Sequence, residues 1–450
     1  MIERVARTAS ERAKRGSDAR QPRREQALLW GILGVSLVVQ LLLAPYRGFF
    51  NDMQIYLRWA AAFNTNPLTI YSSSQVAYPP LTIYLYAALE LAYHGMGRLL
   101  GFSDARLVVD GLQRFSALWL VAKLPTIGAN LGSAWLLYRL TRPVTSARWA
   151  LLATASYALA PSLLLDGALW GQTDGIPVVL ILLAIVAIQR ERSGWAGAAL
   201  GAAVMMKPQP IIFLPLLLLY LLRVAGWRAA ARASLALVGV VVALCLPYLL
   251  PPRFELLTLY HNATMVQGYV SSNAFNLWFM VNPLLLPGTP VIGPLTAAPV
   301  GALLFTPVYA LALALVWRGR SLAALAMALA LAATGFFELT AMQHERYLFQ
   351  ALAFLLLAAA YSRAFTFAYA VASLTTFLNM LAAVAAVGSL PLHEPVLAPL
   401  DTFFWRPPFV IFATLVAQLA LFAAVFALCL RQARSGERGY SSGLWGMGRP

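Results

Sequence analysis

A polytopic, all-α bundle of about 12–14 membrane-spanning helices is the fold class this sequence predicts. Three observations predict it. Of 450 residues, 60% are hydrophobic and 11% charged, against about 25% charged in a soluble domain, and mean hydropathy is +0.71. Apolar runs such as 28–43, 235–250 and 409–430 reach or approach the roughly 20 residues a spanning helix needs, without the alternation of a membrane β-strand. Arginines gather in short loops between those runs, the pattern that orients helices in a bilayer. The net charge of +16 is therefore a topology signal, with the membrane as partner and no nucleic acid expected.

Residues 1–26 are polar, Arg-rich and lack a small-residue cleavage site, so a disordered cytoplasmic tail is expected there, matched by a second at 431–450. Residues 27–430 form one transmembrane domain. With the N-terminus inside, a first span over 27–44 delivers 47–80 to the outside and a second over 81–100 returns. The segment 107–140 predicts two short spans turning near Lys123-Leu124-Pro125, leaving Arg139, Arg142 and Arg148 inside. A span over 149–165 exposes 166–174 outside, and 176–188 returns to Arg190 and Arg192. A hairpin over 194–222 then turns at Lys207-Pro208-Gln209-Pro210. Each arm of about 13–15 residues gives roughly 20 Å of helix, short of the roughly 30 Å hydrocarbon core. Its polar tip is therefore expected below the outer surface, in a cavity. Spans over 234–250, 300–317, 321–337, 348–361, 367–387 and 409–430 complete the chain, with a long outer loop at 251–299. In this threading the arginine loops lie inside and nearly all other polar clusters outside.

Cys245 and Cys429 lie in or beside spans and read as small packing residues. His94, His261 and His393 show no ligand spacing, so no metal site is expected. The clusters that could carry chemistry lie on the outer side. Asn51 with Gln54 resembles a capping box opening a helix through Phe63. That would free the Asp52 carboxylate, held ionised at the positive end of the helix; the alternative is that Asp52 is itself the cap. Tyr78-Pro79-Pro80 makes a rigid entry to the next helix or a plain turn. Trp170, Gln172 and Asp174 place an aromatic, an amide and an acid at a helix junction, where Asp174 could also cap. Lys207 with Gln209 is a cation at membrane depth that needs an anionic partner, a carboxylate or a bound phosphate, unless it snorkels to the interface. His344-Glu345-Arg346 adds a second cation; adjacent residues on a helix diverge, so Glu345 and Arg346 are expected to partner elsewhere. Asn273, Asn276 and Trp278 offer amides and an aromatic plate suited to a sugar ring.

Taken together these residues resemble the GT-C superfamily of polyprenyl-phosphate-sugar-dependent glycosyltransferases. The resemblance extends to the lumenal glucosyltransferases of dolichol-linked oligosaccharide assembly and to prokaryotic relatives of the GPI mannosyltransferases. It rests on Asp52 seven residues before Trp59, on Tyr78-Pro79-Pro80-Leu81-Thr82, on Trp170-Gly171-Gln172, on Lys207-Pro208-Gln209 and on His344-Glu345-Arg346. Those glucosyltransferases carry an Asp before the Tyr-Pro-Pro; this chain has Ala77, which leaves Asp52 as the main acid of the loop. The resemblance implies an inverting hexosyltransferase, with mannose the expected sugar and an extracytoplasmic lipid or glycan acceptor. Asp52 would be general base, Lys207, His344 and Arg346 would hold the donor phosphate, and Tyr56 and Trp59 would join the substrate-contacting set. No cofactor is implied, because the lipid-linked sugar is a substrate. A transporter or flippase is the competing class, and the sequence lacks the inverted repeat that class favours.

Overall fold

A computed structural model of the chain describes residues 2–46, 48, 50–101, 106–109, 112–249, 255, 258–259, 262, 268–387, 403–404 and 409–435. Its main helices are α1 Ile2–Leu43, α2 Phe50–Thr65, α3 Pro80–Leu100, α4 Ala117–Thr141, α5 Ala147–Ala158, α6 Gly175–Gln189, α7 Ser193–Met206, α8 Leu214–Ala225, α9 Trp227–Leu249, α10 Ala297–Gly319, α11 Leu322–Leu339, α12 Phe349–Ala359, α13 Arg363–Val387 and α14 Phe409–Ser435. Among the described residues, seven helices are long and apolar enough to cross a membrane. The chain is thus an all-α polytopic bundle. The backbone of the basic N-terminal segment is helical from Ile2; residues 436–450, His261 and His393 lie outside the described residues.

The span assignment changes at one place. The stretch 81–100 was expected to cross, and 107–140 to cross twice. Instead α3 lies alongside α2, where the Asn64 amide donates to the Glu90 carboxylate at 2.7 Å and to the Ala87 carbonyl at 3.2 Å. Glu90, His94 and Arg98, four residues apart, make one polar face of α3, while Ile83, Tyr86, Ala87 and Tyr93 are buried. That is the pattern of an interfacial helix. α4 is a single helix with Pro125 inside it. Near its start Lys123 Nζ donates to the carbonyls of Tyr46 and Leu169, each at 2.8 Å. Just past its end Arg142 pairs with Glu25, in the first turns of the apolar part of α1. One helix therefore runs the full depth of the bundle where one span over 81–100 and two short ones over 107–140 were expected. The seven long helices, the four shorter apolar ones and α4 make twelve bundle helices among the described residues.

The bundle has two unlike ends. At one, Arg142 meets Glu25, Arg223 donates to the carbonyl of Trp317 and Arg318 to that of Ala433. At the other lie Asp52, Asp174, Lys207 and Arg346. The short α6, α7 and α12 are core elements: all of α12 is buried, as is α11 from 323 to 335. Helices apolar all round are stable only inside a bundle. Alanine and glycine let the backbones approach; a Cβ on Gly197 of α7 would strike the Ala233 carbonyl of α9.

Three small two-stranded ladders supplement the helices among the described residues. The one that matters pairs Ser271–Ser272 in parallel with Gln343–His344. It draws the long loop before α10 onto the segment between α11 and α12. From the same loop region Glu255 accepts from the backbone and hydroxyl of Ser72, and the Asn262 amide bonds the carbonyls of Tyr71 and Val76. That one distant loop thereby holds the segment between α2 and α3 in place.

Candidate active site

Asp52 sits in the first turn of α2, which starts at Phe50, so Asn51 already lies inside the helix. Asn51 is thus not at the N-cap position that the capping box needs, and the Gln54 amide oxygen accepts from Arg58 at 3.3 Å. Asp52 is nevertheless free of capping, for a tertiary reason. Its Oδ2 accepts from the Trp170 indole at 3.0 Å and from the Gln172 amide. Oδ1 is outside that clamp, and the residue is only half-buried.

A sharp backbone reversal delivers both donors. After α5 the chain enters a π-helical stretch, Leu164–Trp170, and leaves it through Gly171 at φ +95°. A Cβ there would strike Met53 Sδ and crowd Lys123 Cε. Such a widened turn, common at functional sites, swings Trp170 and Gln172 onto α2. Lys123, buried and bonded to the Leu169 carbonyl, fixes the reversal from the α4 side.

Gln172 is the hub of the cluster. Its Oε1 accepts from the Tyr56 hydroxyl at 2.9 Å and from Lys207 Nζ at 3.3 Å. Lys207, fully buried, bonds Asp174 Oδ2 at 2.8 Å and stands 5.5 Å from the Tyr78 ring centre. Arg346 lies 3.8 Å from the same Asp174 oxygen and pairs with Glu345, which in turn lies 3.7 Å from His344 Nδ1. A continuous polar chain thus joins Asp52 to His344 across residues almost 300 positions apart. Glu345 and Arg346 were expected to diverge as on a helix. They sit in a turn after a strand, where neighbouring side chains can meet.

The charges nearly balance. Lys207 and Arg346 each face a carboxylate, and Asp52 is the acid left over. Burial alone would raise the Glu345 carboxyl, but Arg346 and His344 outweigh it and hold it down at about 2. Burial would likewise lower the Arg346 guanidinium; Glu345 and Asp52 more than offset this and keep it charged. Asp174 Oδ1, Gln209 Oε1 and Arg346 Nε are buried without a hydrogen-bond partner, as are both oxygens of Asp166. Unspent capacity of this kind in an interior is uncommon and marks a place built to take further partners.

The other expected residues divide. Tyr56, Trp59 and Tyr78 form an aromatic platform beside the clamp, with ring centres 5.7–5.9 Å apart, and the Trp59 indole is spent on the Ser74 carbonyl. Gln209 opens the short 3-10 helix Gln209–Phe213 directly after Lys207 and Pro208. Asn273, at φ +53°, bridges to His344 and gives its carbonyl to Asn379. Asn276 caps the helical turn Leu277–Val281 and bonds the Phe337 carbonyl, while the Trp278 indole donates to Leu339. These last two are fully engaged in fastening the loop to α11. Sequence reasoning missed Asp166 and misplaced Lys123; a lone acid or lysine inside an apolar run was the available signal.

The profile of glycosyltransferase family 87 matches residues 77–342, more than half of the chain. The chain belongs to glycosyltransferase family 87. This is a family of the GT-C type, as the polar motifs implied. The family 87 match contains Tyr78, Trp170, Gln172, Asp174 and Lys207; Asp52 and the His344-Glu345-Arg346 segment lie beyond its two ends. A comparison with curated proteins finds no match.

Proposed function

We propose that this family 87 enzyme transfers a hexose, mannose in our reading, from a polyprenyl-phosphate carrier to a hydroxyl of a lipid or glycan acceptor. The reaction runs on the extracytoplasmic face of the cell membrane and inverts the anomeric centre. The observation that carries this reading is the Asp52 clamp: one carboxylate oxygen is held by Trp170 and Gln172, the other is left for a substrate proton. A general base must be held rigidly within hydrogen-bond reach of the hydroxyl it activates. A phosphate leaving group needs no protonation, unlike the alkoxide that glycosidases expel with a second carboxyl group. One base suffices. Charge building on the departing phosphate is met by Lys207, Arg346 and His344. Because both strong cations already face carboxylates, the phosphate enters as a third partner, and Arg346 Nε is the unspent donor awaiting it. The Tyr56, Trp59 and Tyr78 platform flanks the sugar. The arginine-bearing end of the bundle supports the orientation by the positive-inside rule.

The test is transfer in proteoliposomes supplied with polyprenyl-phosphate mannose or glucose, read as loss of the lipid-linked sugar. Asp52→Asn should retain donor binding and lose turnover by about 10²–10⁴-fold. Near-normal turnover by that variant would remove Asp52 as the base.

A further inference from the structure

Between Glu255 and Arg318 the sequence carries no Asp, Glu, Lys or Arg, and α10 accounts for only the final part of that stretch. The loop ahead of it is as apolar as a span. Its segment 268–296 folds around a small core of its own, in which Val270, Trp278 and Leu285 are buried with Ala297 and Val300 of α10. The outer side is apolar too. Met280, Val281, Leu284, Leu286, Ile292 and Leu295 are each 40–66% exposed, the range of Leu303 and Leu304 on the surface of α10, at 65% and 42%. The ladder of Pro290–Ile292 with Leu295–Thr296, turned through Gly293 at φ +54°, runs straight into α10 at Ala297. Ala298, Pro299 and Ala302 are exposed along the way. The patch is thus continuous with the surface of a helix long and apolar enough to span a bilayer.

Contiguous exposed apolar patches beyond a few hundred Å² are rare and mark interaction sites. A protein interface carries a polar rim; a patch without a charge, joined to a spanning helix, fits lipid. We infer that segment 280–295 docks into the bilayer leaflet on the Asp52 side of the bundle, as a non-helical anchor. Irregular backbone is not tolerated against hydrocarbon, so the segment lies at the headgroup–acyl boundary, its side chains reaching roughly 5–10 Å into the leaflet. The anchor is wired to the site. The Leu285 carbonyl, flanked by Leu284 and Leu286, accepts from the Val270 amide at 2.8 Å, and the Val270 carbonyl accepts from the Met342 amide at 2.7 Å. Directly beyond, Ser271–Ser272 pairs with Gln343–His344. Docking therefore fixes the height of His344, Glu345 and Arg346 above the bilayer. The inference depends neither on the sugar nor on the carrier that the enzyme uses.

The test places a fluorescent thiol label on Leu284→Cys and, separately, Ile292→Cys, in the full chain reconstituted into lipid nanodiscs, where both membrane faces are open to solution. Both positions are exposed, so the small core beneath them is left intact. The native Cys245 and Cys429 are buried and stay unlabelled. Leu303→Cys, on the surface of α10, sets the lipid limit, and Arg190→Cys, in an arginine-bearing loop, sets the water limit. Emission from both labels should be lost to lipids spin-labelled near the headgroup, as at Leu303, and should survive iodide, which quenches the Arg190 label. Loss to iodide with none to the spin-labelled lipid stands the segment in water and overturns the inference. Survival of both labels against both quenchers overturns it as well, because a protein surface, such as a second copy of the chain, then covers the patch.

Discussion

Asp52 is held by what lies around it, so its neighbours are as informative to change as the acid itself. Gln172 shares its amide between Asp52 on one side and Tyr56 and Lys207 on the other. Gln172→Leu should loosen the carboxylate and take one partner each from Tyr56 and Lys207, lowering turnover about 10²-fold with a smaller effect on donor KM, read in the same transfer assay. Lys207→Met leaves Asp174 buried against Arg346 at 3.8 Å as its nearest cation. Removing one partner of a buried pair costs about 3–5 kcal/mol, so that variant should melt lower in detergent. Lys207→Met with Asp174→Asn together should recover most of the loss, because no uncompensated charge remains. For Glu345 the sign is fixed by its depressed carboxyl, held near 2 against an ordinary 4.5. Its stabilising contribution is complete above about pH 4.5 and is lost as pH falls toward 2. Thermal melts of Glu345→Gln and wild type should therefore converge on acidification.

At the scale of elements, the reversal from the π-helical stretch into α6 is the feature that makes the clamp. Gly171 at φ +95° has no room for a methyl group. Gly171→Ala should cost about 1–2 kcal/mol for the backbone alone, with further loss from Met53 and Lys123, and should reduce turnover although it removes no functional group. Lys123 holds the same reversal through two carbonyls rather than through a carboxylate. Lys123→Met would leave those carbonyls without their donor and should destabilise by about 1–3 kcal/mol. The same elements explain the misread spans. Lys123-Leu124-Pro125 has the composition of a turn, but in lipid-facing helices neighbouring groups satisfy what proline frees, so α4 continues through it. The polar period of Glu90, His94 and Arg98 was visible in the sequence and marks α3 as interfacial. Apolar length alone outweighed it.

At the scale of the molecule, Arg142, Arg223 and Arg318 mark one end of the bundle, which the positive-inside rule would turn to the cytoplasm. Single cysteines at Arg190 or Arg320 should react only from the cytoplasm, and one at Ser73 only from outside, when a membrane-impermeant thiol reagent is applied to intact cells. Labelling of Ser73→Cys from the cytoplasmic side alone would invert the orientation and move the proposed reaction to the other face. With α4 in place of three expected spans the count falls by two, so the arginine loops keep their side under either count. The side assigned to each loop rests on its arginines, a signal independent of the helix count.

What the sequence by itself determined is the solvent and the cast of residues. Sixty per cent hydrophobic composition and arginine-bearing loops specify a helical membrane bundle, and spaced polar motifs specify the superfamily. The tertiary structure decided which of those residues meet. Asp52 is held by Trp170 and Gln172, and Asp174 serves both Lys207 and Arg346. Asn276 and Trp278 spend their polar groups on α11. The physical reason is that hydrophobic partition depends on composition along the chain and can be read locally. A buried polar group instead needs a partner at a given distance and angle, and in this bundle that partner comes from a helix end hundreds of residues away.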